Sequence, residues 1–305
     1  MLSRSDLTSM LQTAKLRHAF VDSVRLSRPR VFVFFALFCL LAGNIKTCQA
    51  ADSIRAVTLE AGYREMYGLD FESAHQNFSA WEQIHPDDPM GPVSNAAAYL
   101  FSEFQRMHIL ESELFVDDHT FQKRPKLTPD PTVYSAFNSE LAKAQELAEQ
   151  ALVRSPGNHT ALFAEVMIGG LRSDYQALIE KKNFAALSTI KSSRSLAERL
   201  LAEDPSYYDA YLAIGVENYL LSLNSAPVRW LLRLGGAQTD KQDGLSKLRL
   251  TAEKGHYLAP YARLLLAVAA LRDRDRVQAR SLLAGLAQEF PSNQLYQNEL
   301  ARITP

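Results

Sequence analysis

Two stretches decide how this chain folds: Ser193-Arg-Ser-Leu-Ala-Glu-Arg-Leu-Leu-Ala-Glu-Asp-Pro205 and Ala279-Arg-Ser-Leu-Leu-Ala-Gly-Leu-Ala-Gln-Glu-Phe-Pro291. In each, a small residue is followed four positions later by an apolar one, three later by another, and five later by Pro. The same register returns as Ala74, Phe78, Trp81, Pro86 and as Ala144, Ala148, Ala151, Pro156, with Ser193, Ala197, Leu200, Pro205 and Ala279, Leu283, Leu286, Pro291 as the quoted copies. A degenerate fifth copy reads Gly244, Leu248, Thr251, His256. Steps of four and three keep three side chains on one stripe of a helix, and the small member lets a second helix come close. Pro forbids continuation, and the residues after it (Asp87-Asp88, Gly157-Asn158, Ser206, Ser292-Asn293) suit a tight turn and a helix cap. Each copy is therefore the end of one helical hairpin feeding the next.

Working outward, the remaining chain after residue 51 lacks strand signals and predicts an all-α protein of about 11–12 helices. Its apolar spacing places helices over 54–66, 71–84, 92–114, 132–154, 160–181, 184–202, 207–223, 227–234, 240–254, 259–271, 275–289 and 293–303. The stretch 115–131, with three prolines, is expected to be a surface loop.

The repeated register resembles the tetratricopeptide repeat family, whose 34-residue unit carries small, apolar, small or apolar, and Pro residues at positions 20, 24, 27 and 32. After Pro205, Tyr211, Ile214 and Gly215 match the family's large, apolar and small positions of the partner helix, and after Pro86 Ala96 takes the small one. After Pro156 the match fails, with Glu165 and Val166 in those places. The unit ends are 70, 49, 51 and 35 residues apart, so the repeats are degenerate and unequal. The resemblance implies a helical-hairpin solenoid over residues 51–305. It also implies a concave groove lined by the first helix of each pair, on which Asp209, Leu212, Val216 and Tyr219 would face a bound peptide or helix.

The first fifty residues differ from the rest. They carry seven Lys or Arg against two Asp and lead into the thirteen-residue apolar run Val31–Gly43. That run is short for a membrane span but suits the core of a signal peptide, and Cys48-Gln49-Ala50 resembles a cleavage site. Residues 1–50 are thus expected to be a signal peptide or signal anchor, giving export to the periplasm or cell envelope, with possible membrane association through residues 31–43. Both cysteines, Cys39 and Cys48, fall in this segment, so the body could need neither a disulfide nor a thiolate site. The body keeps 26 basic and 32 acidic side chains, a poor balance for nucleic acid.

No zinc-type pair of histidines, nucleophile elbow, phosphate loop or dinucleotide fingerprint is present. The nearest approach to a metal cluster is Glu111, Glu113, Asp117, Asp118 and His119, which fits a solvated acidic loop better. Carboxylate pairs such as Glu60 with Glu65 and Glu146 with Glu149 are expected on solvated helix faces. Neither cofactor nor metal is expected. The function expected is a non-enzymatic protein-binding scaffold or assembly factor of the envelope; the alternative is a helical-solenoid hydrolase acting on a cell-wall polymer.

Overall fold

The computed structural model describes residues 57–111, 127–223 and 240–303, and every regular element among them is helical. The expected targeting segment 1–50, most of the expected loop 115–131 and the expected helix 227–234 lie outside the described residues. Eleven α-helices follow one another: α1 Leu59–Tyr67, α2 Phe71–Ile84, α3 Met90–Arg106, α4 Pro131–Arg154, α5 His159–Asp174, α6 Asn183–Glu203, α7 Tyr211–Ser222, α8 Lys241–Lys254, α9 Ala259–Arg272, α10 Arg276–Glu289 and α11 Gln294–Ile303. A π-helical turn, Tyr175–Ile179, continues α5, and a 3₁₀ turn, Tyr208–Ala210, precedes α7.

Local chemistry sets these ends. Asp70, Asp130, Asn158, Asp240 and Asp275 each accept backbone N–H groups of the first helical turn, satisfying donors that a helix leaves open there. Helices α2, α4, α6 and α10 all stop two residues before a proline, and α8 stops two residues before His256. Between described neighbours the connections are three to seven residues long, the longest holding the 3₁₀ turn before α7, which makes each helix double back on the last. Each helix accordingly packs against its successor, while α3 also meets α1 and α5.

The spaced register points inward. Ala74, Ala144, Ala279, Phe78, Ala148, Ala197, Leu200 and Leu286 have no exposed surface, Ser193, Leu248, Thr251 and Leu283 almost none, and Ala151 little. Trp81 is partly exposed and donates Nε1–H to Asp88 Oδ2 at 2.9 Å, tying the end of α2 to the following turn. Gly62 lies against the Phe78 ring with no room for a side chain, and Gly215 meets Gly244, where an added Cβ would come within 2.7 Å of the Tyr219 nitrogen. Burying a Leu or Phe of this register contributes about 1.5–3 kcal/mol.

The two ends of this row meet. Asn293, 1% exposed, donates to the Tyr67 carbonyl at 2.7 Å, Ser292 donates to the Gly68 carbonyl at 2.9 Å, and Tyr67 OH donates to the Tyr257 carbonyl at 3.1 Å. Tyr63 stacks on Tyr257 with centroids 4.9 Å apart, and Tyr67 lies 5.8 Å from Phe290. Across the middle, Phe101 of α3 meets Tyr261 of α9 at 5.3 Å, and Tyr261 OH donates to Asp174 at 3.3 Å. Helices α1, α3, α5, α9 and α11 thus converge on one apolar core. A second cluster, Tyr219, Leu245, Leu248, Leu266 and Ala269, joins α7, α8 and α9.

Candidate functional site

The four residues expected to line a groove divide. Asp209 is 4% exposed, and its carboxylate accepts the backbone N–H groups of His256 at 2.8 Å, Tyr257 at 3.2 Å and Leu258 at 2.8 Å. It holds the turn that starts α9 and is not on an open face, because three donors from a segment nearly fifty residues away claim both of its oxygens. Burial raises its pKa, opposed by those backbone donors. Tyr219 is 7% exposed and belongs to the second cluster. Leu212 and Val216 pack against that cluster with part of their surface open and, with the exposed Leu220 at 46%, recur every four residues as one stripe of α7. Beside the stripe, Tyr208 and Tyr211 stack 6.4 Å apart, with Lys254 and Lys247 over their rings at 5.0 and 5.5 Å. The space where α1, α3, α9 and α11 converge holds a cavity of about 10 Å³, room for one water and not for a peptide.

The outward sides are more polar. Three successive seams form where a helix of one hairpin is flanked by the second helices of two hairpins. In the first, between α2, α3 and α4, Lys143 of α4 reaches Glu82 of α2 at 2.5 Å. Asn95 of α3 donates to Glu82 at 3.3 Å and pairs with His75 at 2.5 Å. Burial lowers the pKa of His75, opposed by its bond to Asn95. Burial, together with the neighbouring Glu82 charge, pushes Glu140 up to about 7, against the pull of Lys143. In the third seam, between α6, α7 and α8, Glu217 of α7 is 2% exposed and faces Arg194 of α6 at 3.4 Å. Asn218 donates to Asp243 of α8 at 2.7 Å. Ion pairs or hydrogen bonds stitch both seams across their neighbouring helices.

The middle seam, between α4, α5 and α6, is open. Glu165, Ile168, Gly169 and Arg172 of α5 form the floor of a cleft of about 210 Å³, walled by Ser188, Thr189, Ser192 and Ser193 of α6. At the bottom Gly169 lets α6 approach, since an added Cβ would lie 2.8 Å from that of Ser193, while Gly170 faces empty space. The Glu165 Oε1 atom is buried and meets no hydrogen-bond donor. Its pKa is raised by burial and by Glu149 of α4, against the opposing charge of Arg172. Arg172 donates to Gln145 of α4 at 2.7 Å. Glu165 is the residue at which the sequence pattern breaks after Pro156, and that mismatch was the one signal pointing to this cleft.

One expectation about acidic residues changes. Glu65 is 6% exposed and accepts from Asn77 at 2.6 Å, so it is an inward-facing acid instead of part of a solvated pair with Glu60. Glu111 pairs with His108 at 3.0 Å and Arg302 at 3.3 Å, and the rest of the acidic stretch, 113–119, lies outside the described residues. Among the described residues no group of three or more His, Cys, Asp or Glu is placed to hold a metal. No helix among them is long and apolar enough to cross a membrane. Compared with known proteins, the chain matches no family model and no curated protein sequence.

Proposed function

We propose that this chain is an exported tetratricopeptide-like repeat protein whose row of helical hairpins, a solenoid, binds a segment of another protein without turning it over. The observation that carries the reading is the α7 stripe: Leu212, Val216 and Leu220 stay partly exposed at helical spacing, beside the lysine-capped tyrosines 208 and 211. One exposed and two partly open apolar side chains on one helix face, with a polar rim, fit a docking strip for an amphipathic helix or extended peptide. The inward register and the short hairpin turns support the repeat architecture. The targeting-like residues 1–50 support placement in the periplasm or envelope, cleaved after Ala50 or kept as an anchor.

Photocrosslinkers placed at Leu220 and, as a control, at the isolated exposed Val153 test this in intact cells. The reading expects a defined adduct from position 220 alone, lost in a Leu212→Ser, Val216→Ser protein of unchanged circular dichroism. Identical adducts from both sites, or adducts indifferent to the serine variant, would remove the strip. A second reading, hydrolysis of a cell-wall polymer, draws on Glu140, a carboxyl held up to about 7 beside Glu82. Soluble fragments released by the wild type and not by Glu140→Gln protein would put that reading in place of the first.

A further inference from the structure

The middle seam carries an acid, Glu165, whose cleft is lined by α5 and α6 alone and holds one base, Arg172, on the same helix as the acid. The first seam has Lys143 reaching in from α4 and the third has Arg194 from α6, whereas α6 lines the middle cleft with four hydroxyl residues. Those hydroxyls are poor donors where they stand. Ser193 Oγ donates to the Val166 carbonyl at 2.8 Å, Ser192 Oγ to the Ser188 carbonyl at 3.3 Å, and Thr189 Oγ1 to the Ala185 carbonyl at 3.1 Å. A hydroxyl has one proton and two lone pairs, so each then presents only an acceptor to the cleft. Ser193 lies on Val166 and Gly169 while Thr189 lies on Gln176, so Ser192 and Ser193 are the hydroxyls nearer Glu165, and with it they make that end of the cleft a receptor for N–H donors carrying positive charge.

Arg172 gives the other end the opposite sign. It sits two helical turns from Glu165, roughly 10 Å along α5 at about 1.5 Å per residue, and one of its five N–H donors is committed to Gln145. The two side chains leave α5 that far apart, so a ligand meeting both groups carries a cation and an anion separated by a distance on the order of 10 Å. An extended chain spans about 3.3–3.6 Å per residue, so a peptide of two or three residues with both termini free has that length. The cleft volume, about 210 Å³, is below that of drug-sized pockets and suits such a molecule.

We propose that the α5–α6 cleft is a binding site for a short zwitterionic peptide, its ammonium group held by Glu165 with Ser192 and Ser193 and its carboxylate by Arg172. This site is separate from the α7 stripe and does not depend on it. Binding tightens as pH rises through the raised pKa of Glu165, because the carboxylate must be ionised to hold the ammonium. Glu149 of α4 and Arg172 of α5 are the other charged groups there, and α6 contributes only uncharged hydroxyls.

Isothermal titration of the full-length protein with trialanine, N-acetyl-trialanine and trialanine amide tests the assignment. Trialanine should bind, the acetylated peptide at least tenfold more weakly, and the amide several-fold more weakly. Glu165→Gln should erase the preference for the free amino group, and Ser192→Lys, which supplies a base from the α6 wall, should block binding while the protein stays folded. Equal affinity for all three peptides, or no heat with any of them at millimolar concentration, overturns the proposal even if neither variant folds, since the comparison needs only the wild type. Binding of the amide as tight as the free acid would overturn the zwitterion. Crosslinking at Leu220 is unaffected by any of these outcomes, so the two readings fail separately.

Discussion

The seam of α2, α3 and α4 and the seam of α4, α5 and α6 occupy equivalent places in consecutive hairpins, yet an ion pair joins the two outer helices of the first while the second, hydrogen-bonded through α5, leaves a cleft. In the first, Lys143 joins α4 to α2 through Glu82, and a neutral floor of Asn95 links onward to His75. In the second, the floor carries Glu165, the α6 wall carries small hydroxyl residues, and a cleft results. Backbone architecture sets the spacing of the helices in both cases. Whether the space between them is filled depends on a few long side chains, so grooves on such a row can appear or vanish without any change of fold.

The comparison can be broken most severely at its floor. Gly169→Leu places a side chain where even Cβ would lie 2.8 Å from Ser193, and should destabilise the protein by about 1–3 kcal/mol or more. The adjacent Gly170→Ala, which meets nothing within 4 Å, should instead add up to about 1 kcal/mol through helix propensity. For a domain of this size each kcal/mol moves Tm by about 2–4 °C, so opposite shifts by differential scanning calorimetry confirm the close crossing. Equal effects at the two glycines would refute it.

A smaller effect is expected from opening the closed seam. Lys143→Met leaves Glu82 and Glu140 facing each other and should cost about 1–2 kcal/mol at pH 8, read from denaturant midpoints. The loss should shrink near pH 5, where Glu140 is protonated; a loss independent of pH would mean that the lysine acts through packing alone.

The finest test uses Glu140 by itself. Burial and Glu82 raise it from 4.5 to about 7, so between those values the folded protein keeps a proton that the unfolded chain has released. Its stabilisation is therefore complete below pH 4.5 and is lost as pH rises through 7. Glu140→Gln should flatten that decline and gain roughly 1 kcal/mol over the wild type above pH 8. Asp174, also raised to about 7 by burial, contributes a decline of the same sign that the substitution leaves in place. An unaltered slope in the Gln variant would show that Glu140 is not perturbed.

Most helix positions were legible because they rest on local rules. The expected 71–84 coincides with α2, and 132–154 and 259–271 each miss by one residue, since Pro, Asp and Asn punctuate those ends. The run 160–181 was expected as one helix, but α5 passes at Tyr175 into a π turn in which the Glu180 N–H reaches the Tyr175 carbonyl. Tyr175, Leu178 and Ile179 keep apolar helical spacing through that turn, so periodicity cannot reveal the change. The candidate sites were less legible for a different reason. Asp209 matched a groove position by spacing, but its donors lie 47–49 residues ahead, beyond the reach of any local pattern. Glu165 declared itself only as a misfit, an acid where the tetratricopeptide pattern has an apolar residue, and its unpartnered Oε1 becomes visible when α5 and α6 are in place.

Joining the first hairpin to the last through Asn293, Ser292 and Tyr67 changes how such a row can come apart. In a linear array a terminal unit has one neighbour and can fray alone, so the ends are the least protected part of the chain. Here the described ends touch: melting α1 removes the partners of Ser292 and Asn293 and the ring beside Phe290, while α9, α10 and α11 still pack on one another. Fraying at one described end therefore costs hydrogen bonds at the other.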